Sequence, residues 1–350
     1  MALLNLAPRF DLAEAERLAR AIYALDATAS TLPSERDQNF LLTTAAGDRY
    51  VLKIANAAED RSMLDAQNAA MAHVARRVTF CPRVFPTIEG DAIGVSPGGR
   101  HLVRLVTYLP GIPLAEARGG PERALQINVA PPGNPAGGGA AFMENFGRAV
   151  GQLDVALADF DHPAAHRDFH WDLMRASRVI GEHLPRIRDE GDRALVARVS
   201  ESALSIVDAH RAALRRSVIH NDANDWNVLI DGDRVAGIID FGDMVHSWIV
   251  GDLAVAVAYA MLDDPDPLAI ASALIRGYHT EHPLGAEERA VLMPLAMLRL
   301  CMSACIAAWQ QSQRPDDEYL AVSQDPIRRT LPRLAAISPE MLLHFERTRH

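Results

Sequence analysis

The chain has 350 residues, of which 49% are hydrophobic and 23% charged, and a formal net charge of -10. That composition describes a folded protein long enough for one bilobal unit or two domains, and it excludes extensive disorder. The acidic balance repels phosphate polymers, so no nucleic-acid partner is expected.

Along the chain, residues 1–10 carry no basic segment followed by a long apolar stretch, so no signal peptide is indicated. Two apolar runs over residues 38–54 flank Ala45, Ala46, Gly47 and Asp48, which predicts a hairpin with Lys53 at the end of its second strand. Met63, Leu64, Met71 and Val74 stand at helical spacing, so a helix is expected over 61–78. Strands are expected at 93–95 and 101–109, joined through Pro97, Gly98 and Gly99. Pro110-Gly111 closes this strand-rich part, giving lobes of 1–110 and 111–350.

Residues 119–140, with Pro-Pro-Gly-Asn-Pro and Gly-Gly-Gly, are too long and too rich in breakers for a core connection. They read as a mobile surface insertion, with a lid as the alternative. Beyond them helices are predicted over 142–160, 197–216, 250–261, 267–279 and 287–311. Short strands at 228–230 and 235–239 flank the turn Asp231-Gly232-Asp233. Residues 291–309 approach the length of a membrane span, but Pro294 and Arg299 interrupt them, so a buried core helix and no membrane association are expected. Cys81, Cys301 and Cys305 form neither a disulfide framework nor a zinc pair; buried thiols in a reducing, cytoplasmic setting are expected. The expected fold class is α+β, a small β-rich N-terminal lobe followed by a larger, mainly helical C-terminal lobe.

The stretch from Val218 to Asp243 gathers six aspartates, three asparagines and a histidine in and around two apolar runs. Its His220, Asp222 and Asn227 form H-x-D-x-x-x-x-N, and thirteen residues after Asn227 comes Asp240-Phe241-Gly242. Phosphoryl transfer asks for a carboxylate to receive the alcohol proton, with an amide and a second carboxylate to hold Mg2+ against nucleotide phosphates. Such a hard ion takes oxygen ligands. Each half of the pattern is weak alone; their order, their spacing and the hairpin between them make the pair specific. Lys53 stands where a phosphate-binding lysine belongs. No G-x-G-x-x-G precedes its hairpin; residues 32–40 instead read L-P-S-E-R-D-Q-N-F, in which Ser34 and backbone N–H groups are candidates to face phosphate. His166-Arg167-Asp168 imitates a kinase tripeptide, but Leu173 stands where an asparagine is required, so it is not the catalytic loop.

With these motifs the chain resembles the aminoglycoside phosphotransferase-like, or choline kinase-like, small-molecule kinases, and within them the hydroxylysine kinase-like branch. The resemblance runs from about Pro33 to Gln311. It rests on H-N-D-A-N-D-W-N-V-L-I, I-I-D-F-G-D-M, S-E-R-D-Q-N-F and R-D-F-H-W-D-L. It implies a protein kinase-like fold with ATP or GTP between the lobes, Asp222 as catalytic base supported by His220, and Asn227 and Asp240 as metal ligands. Where the family offers a glutamate to pair with the lysine, the best-placed residues here are Gln67 and Asn68, with Glu59 and Asp65 as poorer substitutes.

No A-P-E follows the D-F-G, which favours a small-molecule acceptor over a polypeptide. Asp225, Trp226 and Asp243, with Trp171 and Asp172, are candidates for an amino-bearing acceptor such as hydroxylysine or an amino alcohol. Helix capping by Asp172 and core packing by Trp171 are the plainer alternatives, and His246 and Trp248 read as packing residues. An aminoglycoside acceptor, and a nucleotide-binding module without turnover, are the rival functions. A similar module also fronts larger fusions with aminotransferase domains, so a standalone chain and an excised module both stay open.

Overall fold

A helix not predicted above opens the fold. The computed structural model describes residues 7–34, 37–118, 139–313 and 324–337, and its first element is α1 (Leu12–Tyr23). Asp11 caps it by accepting from the Glu14 N–H at 2.7 Å, while the Glu14 carboxylate accepts from the Asp11 N–H at 2.8 Å. That reciprocal pair satisfies two of the N–H groups a helix start leaves open. Ala15, Leu18 and Ala19 face the core.

An antiparallel six-stranded sheet follows, in the order β1 (Ala27–Leu32), β2 (Gln38–Thr44), β3 (Arg49–Ile54), β6 (Leu102–Thr107) and β4 (Val84–Phe85), with β5 (Gly94–Val95) also on β6. The predicted hairpin is β2–β3, in register from Gln38–Ile54 to Thr43–Arg49. Phe40, Leu42, Leu52 and Ile54 point to one face and meet α1 there, as the period of two requires. Lys53 therefore lies on the opposite face. Helix α2 (Arg61–Val74), capped by Asp60, stops four residues short of its predicted end. These residues, as far as Pro110 and with His162–Ala165, make one compact unit.

The second unit takes Gly111–Asp161 and the chain from His166 onward. It opens with β7 (Ile112–Pro113) and α3 (Leu114–Ala117); most of the expected surface insertion, 119–138, lies outside the described residues. Then come α4 (Ala140–Leu157), α5 (Ala176–His183), α6 (Glu190–His210), β8 (Arg216–Ile219), β9 (Val228–Asp231), β10 (Arg234–Ile238), β11 (Val245–Trp248), α7 (Val250–Ala260), α8 (Pro267–Glu281), α9 (Ala286–Gln313) and α10 (Gln324–Ala335). The helix expected at 197–216 starts earlier, behind its cap Asp189, and ends earlier, because Arg216 already belongs to a strand.

Two features organise this unit. Helices α4 and α8 cross at glycines: a Cβ on Gly147 would lie 1.9 Å from the Leu274 carbonyl oxygen, and one on Gly277 would lie 1.9 Å from that of Glu144. Helix α9 is long and apolar enough to cross a membrane, but 89% of its most apolar window is buried inside the protein. Cys301 and Cys305 lie in its buried part; they and Cys81 are free thiols, and burial pushes all three upward in pKa.

Candidate active site

Two short ladders bring the acidic loops together. Strand β8 ends at Ile219, just before His220, and pairs antiparallel with β11, which begins just after Met244. Strand β9 begins just after Asn227 and pairs with β10, which ends two residues before Asp240. The loop 220–227 and the turn 239–244 are thus anchored at both ends against each other, and the Ile239 N–H donates to the Asn227 carbonyl at 2.9 Å. The dense run of polar residues is one structural device, a pair of facing loops.

Asp222 stands at the centre. Its Oδ1 accepts from Asn224 Nδ2 at 2.9 Å and from Arg299 Nη2 at 3.1 Å, and its Oδ2 accepts from Asn227 Nδ2 at 2.7 Å. Burial pushes its carboxyl well above the usual range; Asp243 and Asp240 push the same way, and Arg299 opposes them. Asn227 Nδ2 also donates to the Asp222 carbonyl at 3.0 Å. The other polar atom of that amide is its Oδ1. Asp240 sits at φ 64°, a left-handed conformation, with Oδ1 accepting from the Gly242 N–H at 3.1 Å. Asn227 and Asp240 are hard oxygen donors, and a Mg2+ ion is content with one or two such protein ligands plus phosphate oxygens.

The loop holds its shape through its own side chains. Asn224 Oδ1 accepts from the Trp226 N–H at 2.8 Å and the Asn227 N–H at 3.1 Å. His220 is fully buried; its Nδ1 accepts from the Asp222 N–H at 3.3 Å, so its Nε2 carries the proton donated to the Ile239 carbonyl at 3.1 Å. From α7, the Asp252 carboxylate receives the N–H groups of Asn221 at 2.6 Å and His220 at 3.3 Å. Asn221 takes φ 67° and donates through Nδ2 to the Asp243 carbonyl at 3.3 Å. Asp252 packs beside Asp154 of α4, which receives the Tyr278 hydroxyl at 2.5 Å.

The expected acceptor residues separate into two groups. Asp225, Trp226 and Asp243 are partly buried in or next to the loops. Burial raises the Asp225 carboxyl to about 6, against the pull of Arg118. Trp171 packs beside Phe169, Ile219 and Val245, and it reaches Asp222 through Arg299: its carbonyl accepts from Arg299 Nη1 at 2.9 Å, and the guanidinium lies 4.5 Å from its ring centroid. Asp172 faces away into the core. It is 3% exposed, and its Oδ1 accepts from the Met174 N–H and the Ser247 hydroxyl, the capping role given above as the plainer alternative. Trp248 is buried, and the His246 ring stacks on that of His166 at 4.2 Å. In the imitation tripeptide, Asp168 pairs with Arg175 and Arg178, while Arg167 donates to the Gly242 and Met244 carbonyls at 2.8 and 3.0 Å, bracing the turn around Asp243.

In the sheet unit, Lys53 pairs through its backbone with Asn39 and Arg104. Asn68 is taken up elsewhere: its Oδ1 accepts from buried Arg104 at 3.1 Å and its Nδ2 donates to the Ala92 carbonyl at 3.3 Å. Gln67 is buried beside it. Ser34 is exposed in the connection from β1 to β2; Glu35 and Arg36 of that loop lie outside the described residues.

Asn224, Asp252 and Arg299 complete the site and were not among the predicted site residues. Arg299 had a signal: a charge inside an apolar helix must find a partner.

These features define a phosphotransferase of protein kinase-like fold. The chain belongs to the phosphotransferase enzyme family, whose model it matches over residues 28–292. It is therefore a small-molecule kinase with a hydroxyl group as acceptor. It is 26% identical to a hydroxylysine kinase of Danio rerio over 346 residues, covering 93% of this chain and 92% of the relative. Among solved structures, it is similar to a microcompartment-associated aminopropanol kinase (TM-score 0.67, 18% identity, 97% of this chain and 99% of the other). It is also similar to the amicoumacin kinase hAmiN in complex with AMP-PNP, Ca2+ and Ami (TM-score 0.67, 14% identity, 95% and 97%). The structural likenesses carry the fold.

Proposed function

We propose that the protein transfers the terminal phosphate of ATP or GTP to the hydroxyl of a small amino-bearing metabolite, with 5-hydroxylysine as first candidate. The observation that carries this reading is the position of Asn227, whose amide nitrogen donates to both the carboxylate and the carbonyl of Asp222; on this reading its oxygen would take the cation. One side chain thereby ties the proposed base to the proposed metal.

Asp222 orients the acceptor hydroxyl and receives its proton, and His220 fixes the loop behind it. Asn227 and Asp240 hold Mg2+, which when bound neutralises charge on the nucleotide phosphates. Lys53 and Ser34 are assigned to those phosphates. Asp225 and Asp243 supply negative charge for the acceptor ammonium, and Trp226 and Trp171 its apolar walls. Catalysis on this reading is positioning and charge stabilisation. The substrate class is supported by the near full-length similarity to a hydroxylysine kinase.

The test is a phosphate-transfer screen of 5-hydroxylysine, amino alcohols, their deaminated counterparts and an aminoglycoside, with ATP and GTP, with and without Mg2+. Losing a charge-assisted hydrogen bond to the amine should lower kcat/KM by about ten- to a hundredfold. Transfer to the aminoglycoside alongside inert hydroxy amino acids overturns the acceptor and leaves the kinase standing. Full turnover by Asp222→Asn overturns the assignment of the base.

A further inference from the structure

We propose that Arg299 is a positioning residue for the Asp222 carboxylate, locking it so that one oxygen is presented to the acceptor hydroxyl. The inference rests on the reading of Asp222 as the base.

The count of donors carries it. An ionised carboxylate has about four acceptor positions, two on each oxygen. On Oδ1 both are taken, by Asn224 Nδ2 and Arg299 Nη2; on Oδ2 one is taken, by Asn227 Nδ2. The position that remains is on Oδ2. An aspartate's terminal torsion is broad and roughly two-fold, so an unheld carboxylate exchanges its oxygens and spreads that lone pair over a wide arc. Asn224 and Asn227 sit on the same loop as Asp222. Arg299 is the anchor that comes from outside it, on a long buried helix.

That anchor is itself fixed. Its side chain is 2% exposed, its second terminal nitrogen donates to the Trp171 carbonyl at 2.9 Å, and its guanidinium lies 4.5 Å from the ring centroid of Trp171 and 5.7 Å from that of Tyr259. The planar fork spans the Trp171 carbonyl and Asp222 Oδ1 together, which a single ammonium does not reproduce. Stability is a poor reason for placing a charge there, because well-packed apolar replacements of buried ion pairs are often neutral or stabilising. The gain is therefore sought in the geometry of Asp222.

The experiment compares Arg299→Met, Arg299→Lys and Arg299→Ala with the parent. Turnover is measured with MgATP and 5-hydroxylysine, or whichever alcohol of the acceptor screen reacts fastest, alongside calorimetric MgATP binding and Tm. For Arg299→Met we expect kcat to fall by about ten- to a hundredfold, as a misplaced catalytic group does, with MgATP affinity within about threefold of the parent, while Tm falls because the Asp222 carboxylate loses its buried partner. Arg299→Lys should not restore kcat. Millimolar guanidinium or methylguanidinium should raise the kcat of Arg299→Ala, and methylammonium should not.

A kcat within about threefold of the parent in Arg299→Met overturns the proposal. So does a parallel loss of kcat, MgATP binding and Tm without guanidinium rescue, or a failure of both the Met and Ala variants to fold, since each marks a purely structural arginine. Asp222→Asn run alongside separates the two readings. If it keeps turnover, the assignment of the base has failed; if it collapses while Arg299→Met does not, only the role of Arg299 falls.

Discussion

Two places in the helical unit demand close approach and achieve it by opposite means. At the crossing of α4 and α8, Gly147 and Gly277 contribute no side chain, and each backbone runs against a carbonyl of the other helix. At the facing loops, Asn224, Asn227 and Asp252 turn polar side chains onto neighbouring backbone. The crossing tolerates no added atom, while the loops tolerate no lost hydrogen bond. The comparison teaches that damage at the first should spread to the whole fold and damage at the second should stay in the chemistry.

The largest expected effect breaks the crossing. Gly147→Ala or Gly277→Ala puts a methyl carbon against a backbone oxygen that cannot rotate aside, costing about 3 kcal/mol or more. Differential scanning calorimetry should show Tm lowered on the order of 10 °C, or no soluble protein. A Tm within a degree or two of the parent would mean that the helices separate cheaply.

Next, Asn224→Ala should lower Tm by only a few degrees, from two lost bonds to loop N–H groups, while lowering kcat by about ten- to a hundredfold, the worth of its one hydrogen bond to the Asp222 carboxylate. Steady-state kinetics beside a melting curve checks this. A drop in Tm as large as that of Gly147→Ala, or an unchanged kcat, erases the contrast.

The smallest effect lies where the two regions meet. Tyr278, next to Gly277, donates to Asp154, and Asp154 packs beside the Asp252 that clamps the catalytic loop. Burial, and then the charge of Asp252, raise the Asp154 carboxyl well above its ordinary value of 3.8. The folded state therefore holds a proton that the unfolded chain has released. Stability from this group is complete below the ordinary carboxyl range and declines as pH rises toward the folded pKa. Asp154→Asn keeps the shape without the titration, so its Tm should fall less between pH 5 and pH 8, by a few degrees. Parallel Tm–pH curves for the two proteins would place the proton elsewhere.

The two regions were not equally legible in the sequence. The loops announced themselves, because Asp and Asn cannot cluster around apolar runs without a purpose, and Asp222, Asn227 and Asp240 share one stretch of chain. The glycines of the crossing looked only like weak helix formers, since their meaning depends on a partner far away in sequence. Strands β8 and β11 were missed for a related reason: each has four residues, and each acquires its identity from the other. The hairpin β2–β3, by contrast, was readable from alternation and a four-residue turn. Helix α1 carried a readable signal, Asp11 and Glu14 at capping-box spacing, that only local inspection would have found. Arg299 was visible as an anomaly in an apolar helix, but its partner Asp222 is fixed by the fold alone.

The third strand on the acid-rich hairpin has a consequence for the order of assembly. Strands β9 and β10 are joined by a tight turn and form as soon as both exist. Their partner β7 leaves the ribosome long before them: Ile112 pairs with Ile230 and Pro113 with Leu229, and Gly111, at φ 122°, fits because it lacks the Cβ that would come 2.8 Å from the Ile230 carbonyl oxygen. Contacts between residues so far apart in sequence carry the loop-closure cost that slows folding. The short strand after Pro110 must therefore wait, unpaired, until about half of the helical unit has been synthesised. Docking of this strand is expected among the last events that complete the catalytic hairpin.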